Sequence, residues 1–204
     1  MLEFKKIKGN LIHKTAIIDW KKLIIGKGNI IGPYVVIGNS AQHPYSKSKG
    51  KIYIGNKNII NEYCNIHLPT EITKKTFIGN NNYFMNSTTI DHDCYIEDNV
   101  VLSSNVVLGG NVFVMKNAQL GIKSSIHQNQ TIGSFSMIGM HSFVTKNISP
   151  SGTVEKYSKR AYPDFVNRTI GIWSKLAKLS QIAGNLFWTV LEDFGLLTLL
   201  QDLR

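Results

Sequence analysis

At 204 residues, 43% apolar and 18% charged, the chain suits one globular domain with a short appendage and is too apolar to be disordered. Lys and Arg outnumber Asp and Glu by 23 to 13, a formal charge of +10 that favours anionic partners such as nucleotides, phosphopantetheine carriers, nucleic acid or anionic lipid. Two cysteines exclude a disulfide framework or a zinc cluster, and neither zinc-finger spacing nor an aromatic-plus-basic signature marks a nucleic-acid module.

In chain order, the opening MLEFKKIKGN is basic but lacks the apolar run of a signal peptide. A repeat follows. Ile25, Ile31 and Ile37, then Ile54, Ile60 and Ile66, recur at steps of six. Stepping by six from Ile72 then meets Ile78, Phe84, Ile90, Ile96, Leu102, Leu108, Val114, Leu120, Ile126, Ile132, Ile138 and Val144, all large and apolar. Glycine often follows the anchor, as in Ile25-Gly26, Leu108-Gly109 and Ile138-Gly139. The residue two before it is usually small, as at Thr88, Cys94, Val100, Ala118 and Ser136.

A period of six fits neither a helix nor a simple two-residue strand. It fits a coil of three short strands, each turning one anchor inward, with coils of 18 residues stacked about 4.8 Å apart. Corners then need Gly or Asn, which tolerate left-handed backbone angles. Asn80, Asn81, Asn99, Asn105 and Asn117 supply that chemistry.

Between Ile37 and Ile54 the spacing is 17, so the polar, basic segment 39–51 reads as a loop thrown out from the coil. After Pro150 the hexads stop, and Ile170, Trp173, Leu176, Leu179, Phe187, Leu191 and Phe194 take helical spacing. The expected organisation is a β-helix over 1–150 and a helical extension over 151–204 that covers the solenoid's end. The stretch from Ile182 to Leu200 is broken by Asn185, Glu192 and Asp193, a poor bilayer span. A cytoplasmic protein with no stable membrane insertion is expected.

Residues 18 apart share a face, so Ile72, Ile90, Leu108, Ile126 and Val144 form one column. His92, Gly110 with Asn111, and His127 with Gln128 then climb a single corner. His92 and His127 stand about 10 Å apart by the strand spacing. A histidine of unperturbed pKa suits a general base near neutrality. His92 lies between Asp91 and Asp93, and a carboxylate can fix its tautomer and stabilise its charged form. Asp93 reaches it only if the backbone turns there. Of the six histidines the nearest two in sequence, His127 and His141, are 14 apart, which disfavours a metal site with a closely spaced pair.

The motifs IHLPT at 66–70, TTIDHDC at 88–94, LGGN at 108–111 and SIHQNQTIG at 125–133 carry a resemblance. From Asn65 to about Ile148 the chain resembles the left-handed β-helix acyltransferases, above all UDP-N-acetylglucosamine O-acyltransferase of lipid A synthesis and related nucleotide-sugar enzymes. The resemblance implies a left-handed, all-β parallel β-helix and a homotrimer whose active sites lie between subunits. It implies that His92 is the base, Asp93 its partner, and the Gly110 N–H the oxyanion donor. It places Asn111, His127, Gln128, Asn167 and His67 at substrate-binding positions, and Met140 where a residue limits the acyl groove.

Three departures stand out. Asn111 replaces a histidine, and Ile172, Trp173 and Ser174 stand where a basic pair follows Asn167. The helical tail is also short. The expected reaction moves an acyl group from acyl-carrier protein or acyl-coenzyme A to a hydroxyl or amine of a nucleotide-linked sugar, without metal or tightly bound cofactor, in bacterial lipopolysaccharide or surface-polysaccharide synthesis. Because MIGMHSFVTKNISPSGTV resembles the last coil of acetyl-coenzyme A-dependent amino-sugar N-acetyltransferases, that activity is an alternative. A non-catalytic β-solenoid scaffold is another.

Overall fold

The computed structural model describes residues 3–154. They form three sheets, parallel except for one terminal strand, that wrap one apolar core and are joined at corners by turns. The seven-stranded face runs from Ile17–Ile18 through Val36–Asn39, Asn65–His67, Thr89–Ile90, Val107–Leu108 and Ser125–Ile126 to Phe143–Val144. The six-stranded face runs from Leu23–Ile25 through Lys51–Ile54, Lys75–Ile78, Tyr95–Ile96 and Phe113–Val114 to Thr131–Ile132. The nine-stranded face contains Ile31, Ile60, Phe84, Leu102, Leu120 and Ile138. Among the described residues there is no helix long and apolar enough to cross a membrane.

From Ile59–Ile60 to Phe143–Val144 each two-residue strand turns its second residue inward, as the longer Lys75–Ile78 turns its last. Ile78, Phe84, Ile96, Leu102, Leu108, Val114, Ile132 and Ile138 are fully buried. Burying such a side chain contributes about 1.5–3 kcal/mol. Thr88, Cys94, Val100, Ala118 and Ser136, two residues before an anchor, are buried as well. Their small size lets the chain turn the corner tightly around the core.

One expected anchor fails. Ile72 is 76% exposed, and the partner of Ile90 one coil below is Ile66. The column therefore reads Ile18, Ile37, Ile66, Ile90, Leu108, Ile126 and Val144. A second excursion, around residues 68–74, displaces Ile72 from the coil, and its length of one hexad preserved the apparent count.

Apart from Gly38, at φ 111°, the glycines after the anchors do a different job from the one expected. Left-handed backbone falls later in the corner, at Asn81, Asn99, Asn105 and Asn117 as foreseen, but also at Tyr34, Tyr63, Lys123 and His141. Asn80 is not among them; its side chain accepts from the Asn56 N–H at 2.8 Å. Glycine is needed for close stacking: a Cβ on Gly109 would lie 2.9 Å from the Gln128 nitrogen in the next coil.

The lower coils carry a buried polar row. The Asn10, Asn29, Asn58 and Asn82 Oδ1 atoms accept from the N–H of Asn29, Asn58, Asn82 and Val100, at 2.7–2.9 Å. Below them β1 (Phe4–Ile7) pairs antiparallel with β2 (Asn10–His13), the first strand of the coil proper. At the other end Thr153–Val154 pairs with Met137–Ile138, carrying the ladder past the expected limit at 150. The helical extension expected over 151–204 otherwise lies outside the described residues.

Candidate active site

The site grows from the corner after the seven-stranded face. Asp93 has a φ of 63°, and this left-handed turn brings two chain neighbours together that a strand would have pointed apart. The Asp93 Oδ2 atom lies 2.8 Å from His92 Nδ1. Both side chains are buried, with His92 8% exposed.

Asp93 is heavily donated to. Its Oδ1 accepts from the Thr70 N–H at 3.0 Å and from the Thr73 hydroxyl. Its Oδ2 accepts from the Thr70 hydroxyl at 2.7 Å as well as from His92. Burial alone would push this carboxyl up, but the hydrogen bonds from Thr73, Thr70 and His92 outweigh it and hold the group below the ordinary carboxylate value. An ionised Asp93 can only accept, so Nδ1 of His92 carries the hydrogen and Nε2 keeps its lone pair.

A second pair stands beside the first. The Asp91 Oδ1 accepts from His67 Nδ1 at 3.0 Å and from the His92 N–H at 2.7 Å. Burial raises the Asp91 carboxyl, and these two bonds bring it below its usual value. His67, placed by sequence among the substrate contacts, is only 3% exposed; it braces Asp91 from behind.

Gly110 sits on the coil above, against the His92 ring. A Cβ there would fall 2.2 Å from Cε1 and 2.5 Å from Nε2 of His92. Only glycine leaves room for the imidazole. The Gly110 N–H has no acceptor among the described residues. Cys94 steadies this corner by donating from Sγ to the Gly109 carbonyl at 3.2 Å. Burial pushes that thiol up to about 12, so it serves as a donor and not as a nucleophile.

The remaining expected residues lie farther out. Asn111 is exposed, its N–H donates to the His92 carbonyl at 2.8 Å, and its amide donates to Asn129 at 2.9 Å. His127 and Gln128 are exposed on the same corner two coils from His92, with Ile90, Leu108 and Ile126 in register beneath. Met140, 56% exposed, stands on a different corner, between the nine- and seven-stranded faces. Asn167 lies outside the described residues.

Sequence reasoning passed over His43. Its ring packs edge-on to that of His92, centroids 5.3 Å apart and planes at 79°. The Tyr45 N–H donates to His43 Nδ1 at 3.2 Å, so a neutral His43 presents an Nε2–H. The irregular spacing marked 39–51 as a loop, but no period tells where a loop's side chains point. Thr70 and Thr73 were also missed, although Thr70 closes the IHLPT motif.

Residues 75–110 match the family described as bacterial transferase hexapeptide (six repeats). Over 128 residues the chain is 37% identical to acyl-[acyl-carrier-protein]--UDP-N-acetylglucosamine O-acyltransferase of Burkholderia orbicola, covering 62% of this chain and 49% of that protein. The Helicobacter pylori (strain Shi470) protein of the same description is 33% identical over 146 residues, 71% of this chain and 53% of its own. The chain spans about half the length of these curated relatives. A UDP-N-acetylglucosamine acyltransferase structure from Bacteroides fragilis superposes with a TM-score of 0.70 at 28% identity, covering 72% of this chain and 58% of that one. In its repeats and its coil the chain has the left-handed parallel β-helix fold, and the proteins it is similar to are UDP-N-acetylglucosamine acyltransferases.

Proposed function

We propose that the chain is an acyltransferase that moves an acyl group from a phosphopantetheine thioester to a hydroxyl or amine of a nucleotide-linked sugar, in lipid A or related surface-polysaccharide synthesis. The observation that carries this is the buried His92–Asp93 pair with Gly110 against the ring. The relatives' printed substrates, acyl-carrier protein and UDP-N-acetylglucosamine, give the substrate class. A scaffold has no use for an imidazole held in one tautomer beside a glycine kept clear for it.

In this reading His92 Nε2 takes the proton of the acceptor hydroxyl or amine as that atom attacks the thioester carbonyl. Asp93 stabilises the imidazolium that forms. The Gly110 N–H donates to the developing oxyanion, a contribution of about 3–4 kcal/mol where one such donor has been removed in other enzymes. The intermediate then expels the thiolate, which receives the proton held on His92, leaving acylated sugar and free thiol. The excess of basic side chains attracts phosphorylated donor and acceptor alike. Asn111, His127 and Gln128 flank the acceptor along the corner. Met140 stands on another corner of the coil, so it can bound the acyl groove only from a neighbouring copy, which the homotrimer supplies.

The test is thiol release from acyl-carrier protein and from acyl-coenzyme A, each with a panel of UDP- and dTDP-linked sugars. One productive pairing that His92→Ala abolishes upholds the proposal and names donor and acceptor together. Turnover that His92→Ala leaves intact removes the catalytic assignment.

A further inference from the structure

We infer that Thr70 is a positioning residue, which acts through Asp93 to set the tautomer and basicity of His92 and joins the loop between the strands ending at Asn39 and starting at Lys51 to the reacting centre. The inference rests on the reading of His92 as the base.

Thr70 is fully buried, and both its donors point at one carboxylate. A buried carboxylate short of donors tends to take up a proton. A protonated Asp93 could then offer His92 an O–H, and Nδ1 would no longer be bound to carry the hydrogen. The Thr70 hydroxyl does more than satisfy a buried acid, because it binds Oδ2, the oxygen that His92 uses. Thr73, by contrast, binds Oδ1. Weakening the Thr70 bond therefore changes the acceptor strength of the atom facing the imidazole.

Thr70 is also where the two excursions from the coil are stitched together. It forms an antiparallel bridge with Ser48. On either side the Lys49 N–H donates to the Pro69 carbonyl and the Glu71 N–H to the Lys47 carbonyl, both at 3.0 Å. The same loop lays His43 against the His92 ring. Loop 40–50, one residue shorter at each end than the spacing implied, thus meets the base twice, directly through His43 and indirectly through Thr70 and Asp93.

The titratable groups around His92 are Asp93 on Nδ1, Asp91 on its N–H with His67 behind, and His43 from the loop. Gly110 and Asn111 on the coil above bring no charge. Without the Thr70 hydroxyl Asp93 still accepts from the Thr70 N–H, Thr73 and His92, enough to keep it ionised, and its Oδ2 becomes a stronger acceptor for Nδ1–H, which favours the imidazolium, so His92 should titrate higher.

The deciding measurement is an NMR titration of the His92 Cε1–H signal in the full chain, assigned with His92→Gln, for the native protein, Thr70→Val and Thr70→Ser. Thr70→Val should titrate roughly half a unit or more higher, while Thr70→Ser stays near native. The acid limb of the thiol-release profile should move by the same amount, so that kcat on that limb falls about threefold for each half unit, with KM unchanged. An unmoved or lowered His92 titration in a Thr70→Val protein with native circular dichroism overturns the inference. Should Thr70→Val fail to fold, Thr70→Ala is read in the same way. If no acceptor turns over, the titration still decides the coupling, and only the reading of His92 as base falls.

Discussion

From Ile78 to Val144 the coil repeats every 18 residues without interruption, whereas the coils beneath carry two excursions and a row of buried asparagines. At the position held by Asn10, Asn29 and Asn58 below, and by Asn82 in the first regular coil, the coils above have Val100, Ala118 and Ser136. The upper stack needs little beyond apolar filling and ladder hydrogen bonds. The lower one supplies hydroxyls, imidazoles and loop backbone. The site lies on the boundary: Asp93, His92 and Gly110 belong to the regular stack, while Thr70, Thr73 and His43 come from the excursions. A regular solenoid provides rigid positions, and the groups that brace the candidate site enter where regularity is broken.

The sharpest way to separate the two contributions is His92→Ala. It should lower kcat about 10³-fold while leaving the melting temperature nearly native, measured by thiol release and circular dichroism. A matched pair then tests which isoleucines belong to the coil. Ile78→Ala should destabilise by about 2–5 kcal/mol, and Ile72→Ala by less than about 0.5 kcal/mol, in denaturant titrations. Equal losses would return Ile72 to the core. Gly110→Ala should cost about 10²-fold in kcat, since its Cβ must push the His92 ring from its place, and a crystal structure should show that ring displaced.

The smallest effect concerns acid. A carboxyl whose folded pKa lies below its unfolded value stabilises the fold above the unfolded value, here 3.8, and loses that contribution as pH falls through the folded one. Asp91 and Asp93 both behave in this way. Amide exchange should therefore lose protection around 68–76 before 96–144 as pH is taken from about 5 downward. Simultaneous loss would show that the excursions do not depend on these carboxylates.

The coil itself was legible in the sequence because each anchor is both large and regularly spaced, a pattern that only burial on three faces requires. The His92–Asp93 pair and Gly110 were legible by their place in that period. Ile72 misled because an excursion of one hexad is invisible to a count by six. His67 carried the right motif, yet its burial behind Asp91 depends on stacking across a gap of 24 residues. His43, Thr70 and Thr73 had no periodic address, so their convergence on Asp93 and His92 could come only from the path of the loops.

The antiparallel strand β1 has a consequence for association. A parallel coil ends in unpaired strand edges, and such an edge invites another copy to continue it. Here β1 reverses direction across one face, its residues all exposed and Lys5 and Lys6 side by side. A copy arriving along the coil axis meets a strand of the wrong polarity and two positive charges. On that face the parallel ladder stops at a reversed strand, and the two lysines on it discourage a further copy from extending it.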